Sequence, residues 1–239
     1  RPWCWFLTRT ADCRIFQEKS VPDILELIFK DLGFDKYELR LHGSYEPRTY
    51  CVQYRETDFA FVSRLMEEEG IFYFFEHTED KHVLVITDVM AEVSAVPWQE
   101  RVRLHSGPVA FQEEDVITGC RVEEGFKTGS FAHTDYNFET PDISLMAKVG
   151  EDNKFEVYDY PGEYPDRGEG RRLARVRHQE LRAQRVTLHG HGTCRAFTSG
   201  YRFKLIDHYR DDLNQEWLLL DVHHHARLPL NYRAGNDES

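Results

Sequence analysis

A chain of 239 residues allows one large domain or two small ones and can bury a sizeable core. With 41% hydrophobic and 13% aromatic residues it is not a disordered chain, and no apolar run approaches the roughly 20 residues that span a bilayer. A formal net charge of -12 excludes whole-surface binding to nucleic acid, whose phosphates reward cationic surfaces, so no nucleic acid partner is expected.

Trp3-Cys4-Trp5-Phe6-Leu7-Thr8 reads as a buried strand, and Cys13-Arg14-Ile15-Phe16 as a second extended piece. An opening inside an aromatic, strand-like stretch reads as a piece of a longer protein, and the upstream part is expected to pair with residues 1–10. A helix follows. Ser20 caps, Pro22 suits the first turn, Asp23 makes a capping-box variant, and Gly33 stops the helix. Ile24, Leu25, Ile28 and Leu32 share one face. In the second helix Thr57 caps and Asp58 complements the dipole. Phe59, Val62, Leu65 and Met66 recur at helical spacing, Glu67-Glu68-Glu69 reads as solvated, and Gly70 ends the helix. Ile71 to Phe75 and Val83 to Ile86 read as a hairpin. Residues 11–90 are thus expected to form a small α+β unit.

After Pro97 six segments read as strands: Val116 to Phe126, Gly129 to Phe138, Phe155 to Tyr160, Arg185 to Cys194, Arg202 to Asp207 and Glu216 to His225. One basic helix, about residues 168–184, interrupts them. Residues 91–233 are therefore expected to be a β-barrel or sandwich with a helix packed on it, and residues 234–239 a linker or tail. The expected fold class is mainly β with α. From Arg171 to Arg185 there are six Arg and one Glu, so this segment is +5 and the rest -17. Such a stripe binds phosphate, faces solvent, or meets an acidic patch on a partner chain.

Few patterns point to chemistry. His223-His224-His225, with His189, His191 and His208, are the best metal candidates, because alternate strand residues share a face. No Asp, Glu or Cys partner stands at ligand spacing, so no metal residue is assigned. No G-x-S-x-G elbow occurs, and Ser106-Gly107 and Ser199-Gly200 read as turns. Glu113-Glu114-Asp115 is a run rather than a separated acid/base pair. Gly162, Gly168 and Gly170 lack phosphate-loop context. Cys4, Cys13, Cys51, Cys120 and Cys194 are odd in number and form no C-x-x-C pair; free thiols are expected. No catalytic residue and no cofactor is assigned, and the chain is expected not to be an enzyme. Tyr158-Asp159-Tyr160-Pro161-Gly162-Glu163-Tyr164 sets three tyrosines around a Pro-Gly turn, which suits an interface, a sugar-binding platform, or a strand end packed on its own sheet. The alternatives to an assembly protein are a metal-dependent or cell-wall hydrolase, resting on the histidines and tyrosines, and a sugar-binding module, resting on the tyrosine segment.

Three stretches resemble one family. Arg1 to Gln17 (RPWCWFLTRTADCRIFQ), Tyr50 to Ile71 (YCVQYRETDFAFVSRLMEEEGI) and Tyr158 to Tyr164 (YDYPGEY) are similar to VgrG proteins, the spike of bacterial type VI secretion. Beyond Arg185 the likeness rests on strand pattern and on Tyr209-Arg210-Asp211-Asp212. The resemblance implies β-barrel domains of phage tail hub type with a small inserted α+β unit. It implies a homotrimer with two related barrels per chain, a pseudo-sixfold ring that docks on the hexameric Hcp tube and carries effector or adaptor proteins. It implies residence in the bacterial cytoplasm before firing, then delivery into a target cell. Family members place an OB domain and a needle downstream; this chain is expected to be a hub-region piece ending before them, so membrane contact during injection belongs to other parts.

Overall fold

The computed structural model describes residues 2–105, 107, 114–151 and 155–227. Ser106, Glu113 and the tail at 234–239 lie outside the described residues. In chain order the elements are a 3-10 helix (Trp3–Thr8), β1 (Ala11–Phe16), α1 (Val21–Asp31), β2 (Tyr37–Arg40), β3 (Cys51–Thr57), α2 (Asp58–Glu69), β4 (Phe72–His77) and β5 (His82–Thr87). Then come a 3-10 turn (Met90–Glu92), β6 (Arg101–Arg103), β7 (Ile117–Glu124), β8 (Ser130–His133), β9 (Ala147–Gly150), β10 (Glu156–Asp159), α3 (Arg167–Arg182), β11 (Val186–Gly192), β12 (Arg202–Ile206), a 3-10 turn (Asp211–Leu213) and β13 (Glu216–Leu218). Among the described residues every sheet is open and has two or three strands.

Two compact units form. One comprises Arg1–Val93 with Cys120–Gly190, the other Ser94–Gly119 with His191–Ser239. The chain enters the first unit for the second time within β7 and leaves it within β11, strands that pair with each other.

In the larger unit α1 begins as its sequence dictates. The Ser20 hydroxyl accepts from Asp23 N, and the Asp23 carboxylate accepts from Ser20 N at 3.1 Å. Val21, Ile24, Leu25, Ile28 and Phe29 are buried against Phe61, Leu65 and Met66 of α2. Thr57 caps α2 by accepting from Ala60 N, and Gly70 at φ +75° turns the chain out so that Ile71 N reaches Met66 O at 2.8 Å. The sheet of this core runs β2-β5-β4, parallel between β2 and β5 and antiparallel between β4 and β5. β1 and β3 form an antiparallel ribbon with one extra residue, Arg55 at φ +52°, between the pairs Asp12–Glu56 and Cys13–Tyr54.

Trp3 to Thr8 is a 3-10 helix and not the expected strand. Trp3 and Leu7 are buried and Phe6 is exposed, a spacing of four rather than the alternation a strand needs. Trp3 stacks on Phe34 at 4.5 Å and its indole donates to Lys36 O at 3.1 Å, so tertiary packing overrides the β-propensity of the aromatics. The acidic run at the end of α2 is only partly solvated. Glu67 is exposed, but Glu69 is buried and accepts from Arg48 and Arg172. Asp58 is also buried, held by Arg14, Gln53 and Thr10, which is more than a charge placed near a helix terminus.

The rest of this unit is the sheet β10-β8-β9, parallel between β10 and β8 and antiparallel between β8 and β9. Phe131, Ala147 and Ala174 of α3 form its buried core. In the smaller unit β12 lies between β6 and β13, with Val102, Phe203, Leu205 and Leu213 buried. The strand expected over Glu216 to His225 stops at Leu218.

Candidate assembly surface

β8 is wholly buried: α3 packs on this sheet, and β9 and β10 flank the strand. β10 is the opposite case. It is an edge strand with all four residues exposed, and the exposed run extends from Phe155 to Tyr160. Phe155, Val157, Tyr158 and Tyr160 therefore face solvent along a strand whose second hydrogen-bonding edge has no strand partner among the described residues. Phe126, 78% exposed, packs edge-on against Phe155 with ring centroids 4.8 Å apart. Charge on this strand is limited to Glu156, paired with Lys148 of β9, and to Asp159.

The tyrosine segment divides by environment. Tyr164 is 4% exposed, and its hydroxyl donates to Leu145 O at 2.8 Å and His133 O at 3.1 Å. Burial pushes its phenol pKa up. Its ring lies 4.6 Å from that of His133, whose Nε2 donates to Gly170 O at 2.6 Å. A Cβ at Gly170 would collide with the Tyr164 ring, so the first turn of α3 needs glycine there for close approach. Gly162 N donates to Thr134 O at 2.9 Å and Glu163 N to Asp135 Oδ2 at 2.5 Å. Tyr164 thus fastens the turn to the unit, and the same turn displays Tyr158 and Tyr160, 57% exposed. Of the readings open for this segment, self-packing fits Tyr164 and a contact surface fits the other two.

α3 and the three residues after it carry the arginines. Arg172 donates to Glu169 and to the buried Glu69, Arg177 pairs with Glu180, and Arg185 with Glu124. Arg171, Arg175 and Arg182 have no ion-pair partner among the described residues. Their spacing of four and seven puts them on one stripe of the helix.

The histidines do not converge. His189 Nε2 lies 3.5 Å from Glu123, exposed His223 lies 3.2 Å from Asp221, His224 bonds Phe197 O at 2.8 Å, and His208 is buried with Nδ1 accepting from Arg210 N. His223 and His225 follow the end of β13, so strand alternation does not apply to them. Among the described residues no group of three His, Cys, Asp or Glu is placed to hold a metal. All five cysteines are free thiols. Burial pushes Cys194 up to about 12 and raises Cys4, Cys51 and Cys120, which disfavours the nucleophilic thiolate.

The phage tail baseplate hub (GPD) family profile matches residues 1–230. The chain is 40% identical over 225 residues to the type VI secretion system spike protein VgrG1b of Pseudomonas aeruginosa PAO1, covering 92% of this chain and 30% of that protein. It is 37% identical over 241 residues to VgrG1a of the same organism, covering 99% of this chain and 37% of that one. The actin cross-linking toxin VgrG1 of Vibrio cholerae is 28% identical over 229 residues, covering 93% of this chain and 21% of the toxin. The chain thus spans about a third of the length of the VgrG1b and VgrG1a proteins it matches. An Escherichia coli type VI secretion component superposes with a TM-score of 0.59 at 20% identity, over 85% of this chain and 43% of that one. The 43 kDa tail protein of prophage MuSo2 from Shewanella oneidensis superposes with a TM-score of 0.62 at 14% identity, over 91% and 66%. At such identities these two likenesses establish the fold: mainly strands with helices, in open sheets, as in phage tail hub proteins.

Proposed function

Because this chain belongs to the phage tail baseplate hub (GPD) family, we propose that it is the hub region of a type VI secretion spike that trimerises, docks on the Hcp tube and is injected with effector or adaptor proteins into target cells. The observation that carries the reading is 37–40% identity to spike proteins over more than nine-tenths of the chain. In this reading residues 1–10 end a first hub barrel, residues 11–90 are an inserted α+β unit and residues 91–233 belong to a second barrel. The chain waits in the bacterial cytoplasm and is then secreted.

The physical features support an assembly role. An edge strand with exposed aromatics offers open hydrogen-bonding groups and apolar surface for contact between copies. Raised cysteine pKa values and scattered histidines give no nucleophile or Lewis-acid centre among the described residues. In this reading the chain has a structural role, and most of the toxin relative lies outside the match.

Cosedimentation of the chain, in its native sequence context, with purified Hcp hexamers tests the reading. A stable complex with three copies per tube end is expected. Failure to bind Hcp at any concentration, together with release of sugar fragments from purified cell wall, would replace the hub reading with a hydrolase.

A further inference from the structure

Resting on the hub reading, we infer that the arginine stripe of α3 in one copy receives the acidic, apolar loop at residues 136–146 of the neighbouring copy. Arg171, Arg175 and Arg182 are cations without an ion pair among the described residues, although Arg172, Arg177 and Arg185 nearby each have one. The unused three lie along about 16 Å of helix. Outside residues 171–185 the chain sums to -17, which repels a polyanion and leaves a second copy as the natural source of carboxylates.

The loop between β8 and β9 has the complementary character. Glu139 and Asp142 are exposed and have no ion-pair partner among the described residues. Phe138 is 80% exposed and Ile143 59%, so two large apolar side chains flank the two carboxylates. That arrangement suits arginine, whose stem packs on apolar surface while its fork binds a carboxylate. The loop is also held in shape before any partner arrives. Asn137 Oδ1 accepts from Glu139 N at 2.9 Å, Asn137 Nδ2 donates to Pro165 O at 3.1 Å, and Thr140 N and Ile143 N bond within the loop at 3.2 and 3.1 Å. Preorganisation lowers the ordering cost of association.

Stripe and loop are two different patches of one chain. Joined head to tail, the stripe of each copy to the loop of the next, they make a heterologous contact, the kind that closes into rings. The charges set the register of the ring, and the aromatic edge at β10 is left for other contacts.

Charge reversal and its rescue test this. Sedimentation of the wild type is compared with Arg171→Glu/Arg175→Glu/Arg182→Glu, with Glu139→Arg/Asp142→Arg, and with all five changes together. Each set alone is expected to weaken self-association about tenfold or more at low salt and to flatten its salt dependence; the combination recovers most of the loss. Unchanged association in either set, or no recovery in the combination, overturns the pairing while leaving a self-associating hub intact. A wild-type chain that never self-associates overturns both. Loss of binding to Hcp or to DNA in the helix variant with oligomerisation intact also rejects the pairing. Unfolding midpoints report folding, and the loop variant, confined to exposed side chains, carries the test should the helix variant misfold.

Discussion

Arg172 on α3 donates to Glu69 at the last residue of α2 over 2.5 Å, a contact between residues 103 apart in sequence. Arg48 reaches the other Glu69 oxygen at 2.7 Å, so one buried carboxylate gathers two guanidinium groups and holds two helices of one unit together. Glu69→Ala removes one of the two carboxylates that each arginine holds, leaving Arg172 on Glu169 and Arg48 on Glu68. It is expected to cost about 1–2 kcal/mol of stability by urea unfolding, and Glu67→Ala, on an exposed side chain, less than about 0.5 kcal/mol. Equal losses in the two variants would show that the network contributes nothing.

The tyrosine segment gives a second contrast. Tyr164→Phe removes the hydroxyl that Leu145 O and His133 O share and is expected to destabilise by about 1–2 kcal/mol, measured by denaturant midpoint. Gly170→Ala places a methyl against the Tyr164 ring and is expected to cost about 1–3 kcal/mol. Tyr160→Ala leaves stability within about 0.5 kcal/mol and acts on association instead. A stability loss in Tyr160→Ala as large as in Tyr164→Phe would contradict the division of roles.

Acid should weaken the larger unit through Asp88. Burial alone would push its carboxyl up, but hydrogen bonds from His42 N, Gly43 N and the Tyr45 hydroxyl outweigh it and hold the pKa below the usual carboxylate value. A depressed folded pKa contributes stability that is present above the unfolded value and is lost as pH falls through the folded one. Unfolding free energy should therefore fall from about pH 4 downward, and Asp88→Asn should flatten that dependence while lowering stability at pH 7. An identical acid profile in wild type and variant would remove Asp88 as a contributor.

Metal removal should change nothing. Prolonged chelation is expected to leave the unfolding midpoint and the oligomeric mass of the chain unaltered, because its histidines face different neighbours. A midpoint lowered by chelation and restored by zinc would reinstate the histidine site.

Local chemistry made the helices legible. Ser20 with Asp23 and Thr57 with Gly70 mark boundaries by hydrogen bonds that involve only near neighbours in sequence. The Tyr158-to-Tyr164 motif singled out an aromatic turn, but only the fold separates Tyr164, buried under the Gly170 turn, from exposed Tyr160. The short strands β2, β6 and β9 left no periodic signal in three or four residues, and β2 and β6 gain their places from parallel pairing with distant β5 and β12. Trp3 to Thr8 misled because aromatics favour strands in general, whereas here Phe29, Phe34 and Lys36 O supply a helical set of partners. Glu69 misled for a similar reason: its arginine partner lies 103 residues away, beyond any local pattern.

Light scattering across a wide concentration range tests the assembly claim most directly, with the chain in its native sequence context. A species of three copies is expected to form reversibly as concentration rises, three times 28.3 kDa for this chain alone. Monomers at every concentration and ionic strength would contradict it.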